Sequence, residues 1–167
     1  MRCNFFKLNA FISIFVVLFL LCSCNTTGNY DGEESARFEY VTCDFNGGIT
    51  THTILDLSSG QLLKKTVFPP SEAEDVEYTI LNTLDEIDCS RVVNIIHHCG
   101  LLSLEESYTT EDEIIDGGSW TFTVSYKNGS KRVSNGVNAG PSHLFAEADQ
   151  AIFSNTGVSL FGRVATN

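Results

Sequence analysis

The sequence predicts an α+β domain, with a mostly antiparallel sheet of about five or six strands and two short helices packed on one face. Short runs of alternating apolar and polar residues, bounded by Gly, Pro, Asn and Ser, are typical of half-buried strands. Two other runs have the apolar spacing of helices. Three or four strands come before the first helix and two before the second, and this grouping favours antiparallel pairing over parallel βαβ units.

The first four strands are predicted between residues 37 and 84. "RFEYVTCDF" and "ITTHTILDL" flank the Gly-rich turn "NGG", and a second turn at Ser58-Ser59-Gly60 leads into "QLLKKTVF". Pro69-Pro70 should end this third strand, because proline has no N–H to donate to a neighbouring strand. After the acidic run "SEAED", the sequence "VEYTILNTL" is predicted as the fourth strand.

The first helix is predicted between Asp85, as its N-terminal cap, and Gly100, which can close it. At 100° per residue one helix face is apolar. Its members are Val92, Ile95, Ile96 and Cys99, with Cys89 and Val93 at the margin. The opposite face is predicted to meet solvent and carries Arg91, Asn94, His97 and His98.

A hairpin is predicted in residues 119–137. Its first strand alternates Ser or Thr with larger side chains, namely Trp120, Phe122, Val124 and Tyr126. Asn128-Gly129 fits a type I′ turn, which needs positive φ at both central positions. A two-residue loop would place Val133 opposite Val124. Val137 would then lie opposite Trp120, so that both strands share one apolar face.

The second helix is predicted to begin at Ser142, as an N-terminal cap after Pro141. Its apolar stripe contains Leu144, Phe145, Ala148, Ile152 and Ala151. The Gly-rich connection 135–142 precedes this helix, where free backbone N–H groups can hold an anion. It lacks a phosphate-loop lysine, so we interpret it as a structural link.

Residues 1–23 have the organisation of a secretory signal segment. Arg2 and Lys7 precede a twelve-residue apolar core, Ala10 to Leu21, that only Ser13 interrupts. A bilayer-spanning helix needs about 20 apolar residues, and Lys7 prevents a longer apolar run. We therefore predict that residues 1–23 are a cleaved signal peptide and not a permanent transmembrane helix.

Leu21-Cys22-Ser23-Cys24, directly after this core, resembles the lipobox of bacterial lipoproteins. The resemblance implies that the Cys24 thiol receives a diacylglyceryl group and that a dedicated signal peptidase cuts before it. Cys24, acylated with chains such as palmitate, would become the first residue. Cys22 does not fit this role, because Leu21 stands immediately before it where the family has a small residue. Cleavage by an ordinary signal peptidase is the alternative.

Residues 24–36 are predicted to be the lipidated N-terminus and a flexible polar tether, and residues 37–167 a single domain. All 21 acidic residues follow Cys24, and loss of Arg2 and Lys7 takes the formal net charge from −11 to −13. Nucleic acid is excluded as a partner, because phosphate binding depends on Lys and Arg patches. The predicted location is the periplasmic or cell-surface side of a membrane, with attachment through the lipid because an anionic surface repels this domain.

Cys43, Cys89 and Cys99 remain in the predicted domain. Ten helical residues would separate the Cα atoms of Cys89 and Cys99 by about 15 Å, whereas a disulfide needs less than about 7 Å. A single internal bridge would therefore join Cys43 to Cys89 or to Cys99. Three reduced thiols, packed as small apolar side chains, are an equal alternative.

No metal, cofactor or catalytic site is predicted. Cys89 and His97 would lie about 12 Å apart along a helix, too far to share a zinc ion whose ligand bonds are about 2.0–2.3 Å. The acidic run 105–116 lacks the spacing of a calcium loop and is predicted as a solvated loop. The sequence contains no nucleophile or phosphate-loop motif.

The functional prediction is a lipid-anchored binding or interaction module for an unknown protein or small-molecule ligand. The alternative is a small extracytoplasmic hydrolase whose residues meet only in the fold, with His52 or His143 beside a hydroxyl or carboxylate. Residues 117–153 resemble the C-terminal part of bacterial lipoprotein domains to which no activity is attached. That resemblance supports the fold class and implies no function.

Overall fold

The computed structural model describes residues 34–46, 48–68, 76–110 and 117–162. The predicted signal segment, Cys24 and nearly all of the tether lie outside these residues, as do the acidic stretches 71–75 and 111–116. All the described residues belong to one compact unit.

The described residues form a sheet and two α-helices. The strands are β1 (Ser35–Asp44), β2 (Ile49–Asp56), β3 (Gln61–Val67), β4 (Thr79–Thr83), β5 (Ser107–Thr109), β6 (Gly118–Tyr126) and β7 (Lys131–Val137). The helices are α1 (Glu86–His98) and α2 (Ser142–Thr156), and a short 3-10 helix follows α1 at Leu101–Ser103.

The strands lie in the order β4-β3-β2-β1-β6-β7-β5, and each neighbouring pair is antiparallel except β5 with β7. The predicted α+β class, with a mostly antiparallel sheet and two helices, is confirmed. The predicted count of five or six strands is wrong, because the sheet has seven. The extra strand, β5, lies in the acidic run 105–116 that we predicted as a loop, and its three residues are too few to show an alternating pattern.

Helix α1 has the predicted ends and the predicted faces. The Asp85 carboxylate accepts the Asp88 backbone N–H at 2.8 Å, and Gly100 has the left-handed φ of 74°. Cys89, Val92 and Ile96 are buried, while the four polar residues of the opposite face are exposed. The cap and the apolar periodicity therefore determine where this helix begins, where it ends and which face it buries.

The hairpin of β6 and β7 forms, but its predicted register is wrong by one residue. The loop has three residues, because Tyr126 pairs with Ser130 and the Gly129 N–H is donated to the Tyr126 carbonyl. Gly129 has a φ of 89°, as in a three-residue loop that ends in a left-handed residue. Val124 consequently faces Arg132 and not Val133. A shift of one residue reverses the faces of a strand, so Val133 and Val137 are 42% and 44% exposed.

The predicted cap of the second helix is also wrong. Helix α2 begins at Ser142 itself, with Pro141 at the cap position and no side-chain hydrogen bond there. The Pro141 carbonyl accepts the Leu144 N–H at 2.9 Å, so the first turn closes one residue earlier than predicted. The Ser142 hydroxyl is left exposed at the start of the helix.

Both helices pack on one face of the sheet, as predicted. The centre of that face is a cross-strand row of side chains, each no more than 2% exposed, formed by Leu62, Leu55, Phe38 and Val124. Val92 and Ile96 of α1 and Phe145 and Ile152 of α2 belong to the same hydrophobic core. We call the other side of the sheet the open face, because neither described helix packs on it.

Candidate functional site

A pocket of about 270 Å³ lies where β1 and β6 meet the start of α2, and we call it the Trp120 pocket. Four aromatic side chains line it, from Tyr40, Trp120, Phe145 and Phe161. The other lining residues are Asn138 and Ser142, with Gly118, Ala139 and Gly140 contributing mainly backbone. Ligand pockets in proteins commonly combine an apolar lining with a few polar groups, and this pocket has that composition.

The Trp120 side chain is held in place by the backbone around it. Its indole N–H is donated to the Ala139 carbonyl at 2.8 Å. A Cβ atom at Gly136, the cross-strand partner of Trp120, would lie 2.4 Å from the indole nitrogen. A Cβ at Gly140 would lie 2.6 Å from Cζ2 of the same ring. Both glycines are therefore required for the close approach of the backbone to this indole.

Asn138 shapes the wall beside Trp120. Its φ of 52° is the only positive φ at a non-glycine residue among those described. Two hydrogen bonds hold it there, since its N–H is donated to the Gly118 carbonyl at 2.9 Å and its Oδ1 accepts the Gly118 N–H at 2.8 Å. Asn adopts this left-handed conformation more readily than most residues, and the two hydrogen bonds fix its amide in the pocket wall.

The floor of the pocket belongs to the aromatic part of the core. The Phe145 ring centroid lies 5.1 Å from that of Tyr40, 5.0 Å from that of Trp120 and 5.1 Å from that of Phe161. The Trp120 and Phe161 rings meet Phe145 edge to face, which is a favourable aromatic geometry. Tight packing of these rings gives the pocket a rigid floor.

Tyr40 supplies a neutral hydroxyl. Burial, and secondly the negative charge of Asp149, raise the pKa of the Tyr40 phenol from 10.0 to about 12. The phenol therefore stays protonated at neutral pH, where it can both donate and accept a hydrogen bond. It is unsuited to act as a base near neutral pH, because a base must be deprotonated at the working pH.

The lining of the Trp120 pocket contains no Asp, Glu, Lys, Arg or His side chain. Its polar groups are the Tyr40 hydroxyl, the Asn138 amide and the Ser142 hydroxyl. This set can orient a ligand through hydrogen bonds but cannot transfer a proton readily at neutral pH. The arrangement is suited to binding.

A second pocket of about 350 Å³ lies between β2, β3 and β4 and the segment after α2. Lys64 is its one charged lining residue, and the end of α2 contributes Gly157 and Val158. The C-terminal end of a helix carries partial negative charge, which opposes an anion that Lys64 would attract. We therefore regard the Trp120 pocket as the candidate site.

His52, a candidate for the hydrolase alternative, lies on the open face and lines neither pocket. Its Nδ1 is buried without a hydrogen-bond partner, and its ring lies 6.5 Å from that of Tyr78. Lys65 lies above the same tyrosine, with its Nζ 5.7 Å from the ring centroid. Glu39 acts on His52 through its charge, but neither of the two described pockets places a hydroxyl nucleophile and a carboxylate beside this imidazole.

Burial lowers the pKa of His52 below 6.5, with Glu39 opposing this effect and Lys65 adding to it. Because the unfolded chain then binds the proton more tightly, the free energy of unfolding should fall as the pH falls through about 6.5. We expect an NMR titration to place the His52 midpoint below 6.5, lower still in Glu39→Gln and higher in Lys65→Met. A His52 midpoint above 6.5, or shifts of the opposite sign, would contradict this prediction.

The other predicted candidates lie apart from the Trp120 pocket lining. His97 and His98 are exposed on α1 with ring centroids 5.6 Å apart, and His143 is exposed at the start of α2. Among the described residues, no three His, Cys, Asp or Glu side chains are grouped as metal ligands. The absence of a metal or catalytic centre remains a prediction.

The three cysteines among the described residues are free thiols. Cys43 lies on the open face of β1, whereas Cys89 and Cys99 lie on or beside α1, which packs on the opposite side of the sheet. Burial raises the pKa of both the Cys89 and the Cys99 thiols. A bridge from Cys43 to Cys89 or Cys99 remains a prediction.

The sequence predicts Trp120 on the apolar face of a hairpin but does not predict its place at a pocket. Trp120 is half-buried, with one side against the core and its indole beside Ala139 and Gly140. A signal was present in the glycines of the connection 135–142, which we interpreted as a structural link. Glycines that follow an aromatic hairpin indicate a close approach of backbone to a ring, but not which ring.

No family model, curated protein or solved structure matches this chain. Within the described residues, neither helix is long and apolar enough to span a bilayer.

Proposed function

We propose that the chain is an extracytoplasmic lipoprotein, anchored through lipid on Cys24, that binds a small ligand in the Trp120 pocket. The anchor is supported by the placement of Leu21-Cys22-Ser23-Cys24 directly after an apolar signal core. The ligand site is supported by a single structural observation, a pre-shaped pocket whose side chains offer apolar surface and neutral hydrogen-bonding groups. A flexible tether after Cys24 would let the domain stand off the membrane.

Pre-shaping favours binding because it lowers the cost of ordering the site when the ligand arrives. The indole is fixed by Ala139 and two glycines, and the Asn138 amide is fixed by Gly118. Neither of these two groups of residues contains a general base, or a nucleophile with a base beside it. The hydrolase alternative gains no support from either pocket, since no histidine lines them.

The anchor is tested by Cys24→Ala in the intact chain. We expect an uncut precursor that carries no acyl group, because the lipid is attached to the thiol that this change removes. Cys22→Ala is the matched control and should be cut and acylated normally. Mass spectrometry of the purified proteins, with labelled palmitate as a second readout, distinguishes these outcomes. A mature protein that begins at another residue and has no acyl mass on Cys24 would refute the proposed anchor.

The ligand site is tested by a screen of small neutral compounds against the intact protein in detergent. Trp120 is the only tryptophan in the sequence, so its fluorescence and its indole N–H resonance both report on this pocket. We expect at least one compound to change both signals in a saturable way and to shift the Asn138 amide resonance. If compounds bind but shift only resonances of the open face, the pocket is not the ligand site.

A further inference from the structure

We propose that the Trp120 pocket takes a neutral sugar ring, such as the terminal pyranose of a glycan. This inference rests on the proposed function, because it names the ligand class of the same pocket. It follows from three properties of the lining: its charge, its polar groups and its size.

The charge of the surroundings selects a neutral ligand. An ionic group placed in this pocket would lose water without gaining a charged partner, since no lining side chain is charged. Asp149 acts on the Tyr40 hydroxyl through its negative charge, which adds a specific penalty for anions. The formal net charge of −11 over the chain acts in the same direction.

The polar groups select a ligand with hydroxyls. Asn138 uses Oδ1 to accept the Gly118 N–H, which leaves its amide N–H groups available to donate. The Tyr40 side chain has ring contacts but no hydrogen bond to any of the described residues, and Tyr40 lines the pocket. A purely apolar ligand would bury these groups without partners, at a cost in affinity. Hydroxyls satisfy them, because each both donates and accepts.

The apolar floor and the small volume select a ring. A pyranose has faces of C–H groups, which pack on aromatic side chains, and hydroxyls around its edge. About 270 Å³ is slightly below the usual range for ligand pockets, and it suits one ring with its substituents. A longer glycan would extend past Ser142, which is an exposed residue of the lining.

The experiment is a titration of the intact protein in detergent, followed by Trp120 fluorescence and the indole N–H resonance. The probes are methyl glycosides of glucose, galactose and N-acetylglucosamine, with glucuronate and glucosamine as charged analogues and indole as an apolar ring. We expect saturable binding of at least one neutral glycoside, with a dissociation constant of about a millimolar for so small a ligand. The charged analogue of the same sugar should bind at least about tenfold more weakly.

Two variants test the assigned contacts. Asn138→Asp keeps the acceptor for Gly118 and tolerates positive φ, but it replaces the donors with a negative charge, so affinity should fall about tenfold or more. Ser142→Ala removes an exposed hydroxyl and should weaken binding about threefold to tenfold. Ser154→Ala is the matched control on the same helix, where the hydroxyl bonds only to the Gln150 carbonyl, and it should bind normally.

The outcomes separate the ligand class from the site. Saturation by indole with no response to any glycoside would overturn the sugar assignment and leave the Trp120 pocket as a binding site. Tighter binding of a charged sugar would overturn the charge argument. A glycoside that binds equally to the Asn138→Asp and Ser142→Ala variants does not use this pocket. No response of the Trp120 signals to these probes or to the neutral screen would overturn the proposed ligand site as well.

Discussion

Asp149→Ala should lower the free energy of unfolding by about 3 kcal/mol or more, a large part of the typical stability of about 5–15 kcal/mol. Asp149 lies on the buried face of α2 and is only 4% exposed. Its Oδ1 accepts the backbone N–H groups of Leu160 and Phe161 at 2.7 and 2.8 Å. Its Oδ2 accepts the Ser159 hydroxyl at 2.7 Å.

The expected loss comes from groups that would remain buried without a partner. Leu160 and Phe161 are 1% and 8% exposed, so water reaches their N–H groups poorly once the carboxylate is gone. Each unsatisfied buried donor costs about 1–3 kcal/mol. Val158, Leu160 and Phe161 also belong to the hydrophobic core. Their apolar contacts depend on the hydrogen bonds that hold this segment to Asp149.

Urea unfolding measures this effect, as a lower midpoint with an unchanged slope. Asp149→Asn should cost much less than the alanine variant, because the amide oxygen can still accept both N–H groups. It should also lower the pKa of Tyr40 below about 12, since the carboxylate charge contributes to that value. Glu147→Ala, at an exposed position of the same helix, is the control and should change stability by no more than about 0.5 kcal/mol. Equal stability of Asp149→Ala and Glu147→Ala would contradict the prediction.

Local chemistry made much of this fold predictable. The Asp85 cap, the Gly100 end and the apolar stripe through Val92 and Ile96 are encoded within one helix, where neighbouring residues determine the outcome. The strands β1, β2 and β3 were also predicted, because turn residues separate their alternating runs. The grouping of strands before each helix then favoured the antiparallel class.

The register of β7 was not predictable from the same signals. Asn128-Gly129 suits a two-residue loop, yet Gly129 also suits the left-handed position of a three-residue loop, which the structure adopts. In the observed register the strand buries Ser134, which is 2% exposed, and leaves Val133 42% exposed. Arg132 donates to the Leu104 carbonyl from the same face, a contact between distant parts of the chain.

The Trp120 pocket was hidden from sequence for a similar reason. Its lining comes from β1, β6, the connection after β7, α2 and the final described segment, so only the fold brings it together. The buried role of Asp149 was also missed, although Asp149 lies four residues after Phe145 and three before Ile152. A carboxylate in the register of an apolar stripe predicts a buried hydrogen-bonding role.

Trp120→Ala should lower the free energy of unfolding by about 2–4 kcal/mol, somewhat less than full burial of a tryptophan would give. The indole is half-buried, but its ring centroid lies 5.6 Å from that of Tyr108 and 5.0 Å from that of Phe145. Truncation also leaves the Ala139 carbonyl without its donor. Gly136 and Gly140 have no side chains with which to fill the resulting space.

Circular dichroism during urea unfolding measures this effect, because the variant has no tryptophan to report by fluorescence. Trp120→Phe should lose less, since it keeps a ring against Phe145 and removes only the indole N–H and part of the apolar area. Phe45→Ala is the control at an aromatic residue that is 48% exposed, and it should cost less than about 1 kcal/mol. Loss of ligand binding in Trp120→Phe at nearly native stability would assign the indole to the ligand as well as to the core. If Trp120→Ala and Phe45→Ala lost equally little stability, the indole would not be part of the packed structure, and the rigid pocket floor inferred from it would be wrong.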